Sequence, residues 1–130
     1  MNLNAIRLIT DDVARLTDFY ELVTGHTAIR HAPYFAELVL SGAKIAIGSP
    51  VTVPGENTTL PAVNRTAIVE FRVDDVDAEF ARLRDAVGEV VQEPTLMPWG
   101  NRSLLFRDPD GTLVNIFTPV TAEAVARQQS

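Results

Sequence analysis

The chain has 130 residues, 46% apolar and 22% charged, with 17 acidic side chains against 11 basic and a formal net charge of −6. That composition suits an ordinary globular core and excludes a disordered or fibrous chain. With no basic stripe, the acidic balance also excludes a phosphate backbone as partner, so no nucleic acid is expected. There is no cysteine, which removes disulfides, thiolate metal sites and cysteine nucleophiles together. The opening Met1-Asn2-Leu3-Asn4 lacks the basic and apolar regions of a secretory leader. No apolar run approaches the ~18 residues of a membrane span. A cytoplasmic protein with no membrane partner is the expectation, and the N-x-S/T matches at Asn57, Asn64 and Asn101 are then chance.

The first segment, Ile6-Arg7-Leu8-Ile9-Thr10-Asp11-Asp12-Val13, has a counterpart 63 residues on in Val69-Glu70-Phe71-Arg72-Val73-Asp74-Asp75-Val76. Each is a short strand-like run ending in an Asp-Asp pair suited to capping a helix. Leu16, Phe19, Tyr20 and Val23 recur at helical spacing, with Gly25 placed to end the helix. Three strands follow, at about 27–31, 35–40 and 44–48, with Ser41-Gly42 as a tight turn. A Pro- and Thr-rich link covers about 49–64. In the second half Val76, Phe80, Leu83 and Val87 repeat the helical period and Gly88 closes the helix. Strands at about 89–92, 102–106 and 113–118 come next. The last two are joined by Asp108-Pro109-Asp110-Gly111, where proline presets the first turn position and glycine relaxes the last. The order is therefore βαβββ twice, with a short polar-ended helix in the tail.

This doubled order resembles the vicinal oxygen chelate superfamily, which contains glyoxalase I, bleomycin-resistance proteins, extradiol dioxygenases and fosfomycin-resistance enzymes. The resemblance is carried by Phe19-Tyr20 in the first helix, Phe71-Arg72-Val73-Asp74-Asp75-Val76-Asp77, Pro98-Trp99-Gly100-Asn101-Arg102 and Phe106-Arg107-Asp108-Pro109-Asp110-Gly111. It covers residues 3 to 119. It implies an α+β fold in which two tandem βαβββ modules form a half-open mixed β-barrel. The divisions are a first module at 3–48, a linker at 49–64, a second module at 65–119 and a tail at 120–130, all within one domain. It also implies a ligand cavity and a homodimer, with the modules paired within a chain or exchanged between two chains.

Metal-dependent members hold a divalent ion with His or Glu from the first and last strand of each module, since such a cation takes N and O donors. Carried over, the first-strand positions fall on Ala5 and Ile68, and the last-strand position of the second module falls on Asn115. The last strand of the first module ends Ile45-Ala46-Ile47-Gly48, without a carboxylate. Ala and Ile have no donor atoms, so neither a metal nor another cofactor is expected. His26 and His31 lie off those positions and read as surface or turn histidines.

Strand alternation places Ala5, Arg7 and Ile9 on one face, and Ile68, Glu70 and Arg72 on the matching face of the second module. If the resemblance's ligand positions point inward, Arg7, Glu70, Arg72 and Asn115 do so too. Polar groups in an apolar surround must be paired or wet. Glu70 therefore either pairs with an arginine, Arg7 or Arg72, or anchors a ligand. Trp99, the single tryptophan, either packs over the barrel or stacks on a flat ligand. Tyr34 and Phe35 are weaker candidates, and Phe19 and Tyr20 belong to the helix core. Phosphate-cradling glycine motifs and nucleophile elbows are absent. The expected function is metal-free binding of a planar or hydrophobic small molecule, of the bleomycin-resistance, antibiotic-resistance-like kind. The alternative is a glyoxalase or dioxygenase-type enzyme (lyase, isomerase or dioxygenase), using a rebuilt metal site or Glu70 as a base.

Overall fold

The computed structural model describes residues 1–55 and 60–129, so Asn57 and the middle of the 49–64 link lie outside the described residues. The chain divides into two compact units, Met1–Val63 and Asn64–Ser130.

In the first unit, β1 (Ala5–Ile9) leads into α1 (Val13–Thr24). The Asp12 carboxylate caps α1 by accepting the Arg15 N–H at 3.0 Å, an arrangement that contributes about 1 kcal/mol. Gly25 ends the helix with φ 69°, a left-handed conformation that returns its N–H to the Glu21 carbonyl. Three further strands, β2 (Ile29–Ala32), β3 (Phe35–Leu40) and β4 (Ala43–Gly48), form an antiparallel meander. β4 returns parallel to β1, which gives the sheet order β1-β4-β3-β2. α1 packs on β3 and β4. It buries Leu16, Phe19, Tyr20 and Val23 against Ala36, Leu38, Ile45 and Ile47. Each fully covered Leu or Ile in that layer contributes roughly 1.5–3 kcal/mol. Phe19 and Tyr20 meet edge to face at 5.3 Å within this core.

The second unit repeats the order with β5 (Ile68–Arg72), α2 (Val76–Leu83), β6 (Glu89–Leu96), β7 (Asn101–Arg107) and β8 (Leu113–Pro119). Its sheet runs β5-β8-β7-β6, the same permutation, again with one parallel pair. α3 (Ala122–Gln128) follows and lies against β8. Asp75 caps α2 through the Ala78 N–H at 3.1 Å. The expected closure at Gly88 does not occur. The helix stops at Leu83, whose carbonyl takes both the Ala86 and the Val87 N–H, so a turn carries the chain onward. Val87 is buried all the same, and its place in the apolar period reflects that fold-back rather than another helical turn. β6 is longer than expected and irregular in register between Gln92 and Thr95, around Pro94. An edge strand tolerates a residue that cannot donate to the ladder.

Candidate functional site

In each sheet one face is covered by its helix, and the candidate residues lie on the other. The second sheet's register pairs Ile68 with Leu113, Glu70 with Asn115 and Arg72 with Phe117. Directly opposed residues share a face, so Glu70, Arg72 and Asn115 stand together as alternation predicted. Asn115 is only 9% exposed, and its Nδ2 donates to Glu70 Oε1 at 3.1 Å. The carboxylate fixes the amide's orientation, because a flipped amide would set oxygen against oxygen. The Asn115 Oδ1 is consequently buried without a partner among the described residues. Arg72 lies two residues along the same face and makes no ion pair with Glu70 within this unit.

Trp99 occupies the hairpin between β6 and β7 and is 55% exposed. The loop beneath it is fixed at several points. Met97 and Asn101 close the hairpin, Gly100 bonds back to the Met97 carbonyl, and Val120 and Thr121 donate to the Gly100 carbonyl. The Arg127 guanidinium of α3 donates to the Trp99 carbonyl. Gly100 has φ 94°, and a Cβ there would meet Thr121 Oγ1 at 2.1 Å. Glycine is therefore needed both for the turn and for the close approach of α3. The indole is thus an exposed aromatic surface on a well-tethered loop. The register also puts this loop at the sheet end where Arg72 and Phe117 lie.

In the first sheet, Arg7, Ala46 and Glu37 form one cross-strand row and Ile9, Gly48 and Phe35 the next. Arg7 Nη1 donates to the Thr52 carbonyl at 3.1 Å, and its guanidinium carbon stands 6.0 Å from the Phe35 ring centre. His31, taken as a surface residue on sequence grounds, is partly exposed but built into this face. Its Nε2–H donates to Glu37 Oε1 at 2.8 Å, and its ring stacks on Phe35 at 5.5 Å and 23°. The register shift between Arg30 and Ala32 turns it there. Lys44 Nζ lies 3.9 Å from Glu37 Oε2. Sequence reasoning passed over Glu37 and Lys44, although Phe35, Glu37 and Val39 alternate with the buried Ala36 and Leu38. Tyr34 is exposed at the turn into β3, and its carbonyl accepts the Ser49 N–H. His26 lies just past α1, exposed, with Nδ1 bonded to the Thr24 carbonyl at 2.9 Å.

A hollow of about 400 Å³ lies on the α1 side, lined by Val13, Ala14, Arg30, Pro33 and Ala36 among others. The Arg30 guanidinium in its wall already bonds Asp18 and Glu21, each at 2.7 Å. His31, which also lines it, is engaged by Glu37, and the opposite sheet faces are the better candidates.

These residues do not fit a divalent metal ion. Ala5 and Ile68 carry no donor atom, and at the third position Asn115 has only a neutral amide oxygen, its Nδ2 being bonded to Glu70. Among the described residues no three His, Asp or Glu side chains converge as ligands. No helix among them is long and apolar enough to cross a membrane.

The α+β class, the doubled βαβββ order and the two four-stranded mixed sheets define a family, and comparison with known proteins agrees. The chain belongs to the glyoxalase/bleomycin resistance protein/dioxygenase superfamily, whose model matches residues 2–116. It is 31% identical over 114 residues to "Putative glyoxylase CFP32" of Mycobacterium bovis and Mycobacterium tuberculosis. That match takes in 86% of this chain and 42% of the mycobacterial protein, so the chain spans less than half the length of the curated relatives it matches. Among solved structures, a glyoxalase/bleomycin resistance protein/dioxygenase family enzyme from Burkholderia phytofirmans superposes with a TM-score of 0.76 at 16% identity, over 92% of this chain and 100% of that one. At that identity the likeness concerns the fold alone. TioX from Micromonospora superposes with a TM-score of 0.70 at 25% identity, over 92% of this chain and 100% of its own.

Proposed function

We propose that this chain is a small-molecule-binding member of its superfamily that holds a planar or hydrophobic ligand without a metal ion, as a cytoplasmic homodimer. The observation that carries the proposal is the chemistry at the family's donor positions. Ala5 and Ile68 have nothing to offer a cation, and Asn115, whose Nδ2 bonds Glu70, offers only a neutral amide oxygen. What remains in the second unit suits recognition of an organic molecule: a buried amide beside a carboxylate, Arg72 on the same sheet face, and one exposed indole on a tethered hairpin. Such a mixture of apolar surface and a few placed polar groups is the usual make-up of a ligand site.

The test is a screen of planar aromatic compounds followed by the fluorescence of Trp99, the single tryptophan. Binding should change the emission, and Trp99→Ala, followed calorimetrically, should weaken an aromatic ligand by about 1–3 kcal/mol. Unchanged affinity would return Trp99 to a structural role. Tight binding that required added metal would overturn the reading.

A further inference from the structure

The face of the first sheet turned away from α1 differs in charge from the chain as a whole. The molecule carries −6 overall, yet this face presents Arg7 and Lys44 with Glu37 as their neighbouring carboxylate. Glu37 is already engaged, through Oε1 with His31 and through Oε2 with Lys44. Arg7 has no carboxylate partner among the described residues. It spends one nitrogen on the Thr52 carbonyl, which leaves other donors of its fork available.

The surface beside it is shaped as well as charged. Ala46, a single methyl, separates Arg7 from Glu37 in their cross-strand row, so the floor is low between two long side chains. Gly48 continues the floor, and Thr52 stands over it, so close that a Cβ on Gly48 would come within 2.7 Å of Thr52 Oγ1. The Phe35–His31 stack forms a flat aromatic wall within reach of Arg7. An exposed guanidinium pairs with a carboxylate through two parallel hydrogen bonds. A stacked aromatic pair offers an apolar face to a third ring.

We propose that this trough binds a planar organic anion, an aromatic or conjugated carboxylate, with its carboxylate on Arg7 and its ring against the Phe35–His31 wall. The inference rests on the ligand-binding reading above and adds the class of ligand. Local charge outweighs net charge here because exposed charges beyond about 8 Å are screened at physiological salt. A planar cation would instead meet Arg7 and Lys44.

Calorimetric titration of the full chain with 2-naphthoate and with neutral 2-naphthamide tests the assignment. Naphthoate should bind at least about tenfold more tightly than naphthamide, the equivalent of 1.4 kcal/mol. Arg7→Gln should erase that difference while leaving naphthamide unchanged. Arg65→Gln, a charge-matched control just beyond the link, should preserve it, and Phe35→Leu should weaken both probes together. Equal affinity for the two probes, or naphthoate binding that survives Arg7→Gln, would overturn the proposal. If neither naphthyl probe binds while another planar compound shifts Trp99 emission, this inference fails and the ligand-binding reading stands. Failure of every planar compound removes both.

Discussion

Arg7 and Glu70 occupy equivalent places in the two modules, each in the middle of a first strand facing the middle of a last strand. Their cross-strand neighbours differ. Glu70 faces Asn115 and is held by its amide, whereas Arg7 faces Ala46 and is left with room beside it. One repeat position thus yields a hydrogen-bonded polar pair in one sheet and, over a low floor in the other, an arginine with no carboxylate partner among the described residues. Alternation alone placed Arg7, Glu70, Arg72 and Asn115 on their faces, because a strand's period of two leaves no other choice. It could not find His31, since the β2 irregularity that turns the imidazole toward Glu37 leaves no mark in the local pattern. Gly100 shows the same limit. Its turn was legible from Pro98-Trp99-Gly100, but the close approach of Thr121 and Ala124 depends on tertiary docking. Gly100→Ala, which combines a positive φ with that overlap, should destabilise the fold by about 1–3 kcal/mol in urea unfolding. It should also loosen the Trp99 hairpin, seen as faster acrylamide quenching of the indole. Wild-type stability and quenching together would contradict this account of the loop.

α1 and α2 are each tied to their sheet by an arginine reaching across from a strand. In the first unit Arg30 of β2 bridges Asp18 and Glu21 of α1, and Glu21 Oε2 also accepts the Ala28 N–H at 2.7 Å. In the second, Arg102 of β7 grips both oxygens of Asp77 at the start of α2, at 2.9 and 2.8 Å. The Ala28 N–H first, and then Arg30, hold the Glu21 carboxyl below its ordinary value of 4.5. The Arg102 hydrogen bonds do the same for Asp77, ordinarily 3.8. Because the folded values lie below the unfolded ones, these pairs stabilise fully above the ordinary values, and that contribution fades as pH falls through the lowered ones. All four partners are solvent-accessible, so the effects are modest and sensitive to salt. The paired variant Glu21→Gln, Asp77→Asn should be less stable than wild type at neutral pH, with the gap narrowing as the pH falls below the ordinary carboxylate values. Parallel stability curves across that range would show that these ties contribute nothing. None of this was legible in sequence, where the charges lie 9 to 25 residues apart with no periodic relation. The early end of α2 escaped for a related reason, since Val87 is buried by a turn that mimics the next helical step.

At the scale of the molecule, the 63-residue echo between the two Asp-Asp strand ends was the strongest signal in the chain. It foretold the doubled βαβββ order, and the structure realises that order as two sheets of the same strand permutation. It was legible because each module must solve the same problem of covering one sheet face with one helix, using the same apolar spacing and the same cap. Function is less repetitive: in the reading proposed above it is set by a few positions where the modules diverge, Ala5, Arg7 and Ala46 in one, Ile68, Glu70 and Asn115 in the other. In that reading the divergences remove the donors of a metal centre and leave anchors for an organic ligand. Native mass spectrometry of the purified protein, with elemental analysis before and after incubation with divalent zinc, iron and manganese, tests that conclusion most directly. A dimer mass with no stoichiometric metal, retained after incubation, is the predicted result. One tightly held ion per chain would contradict it.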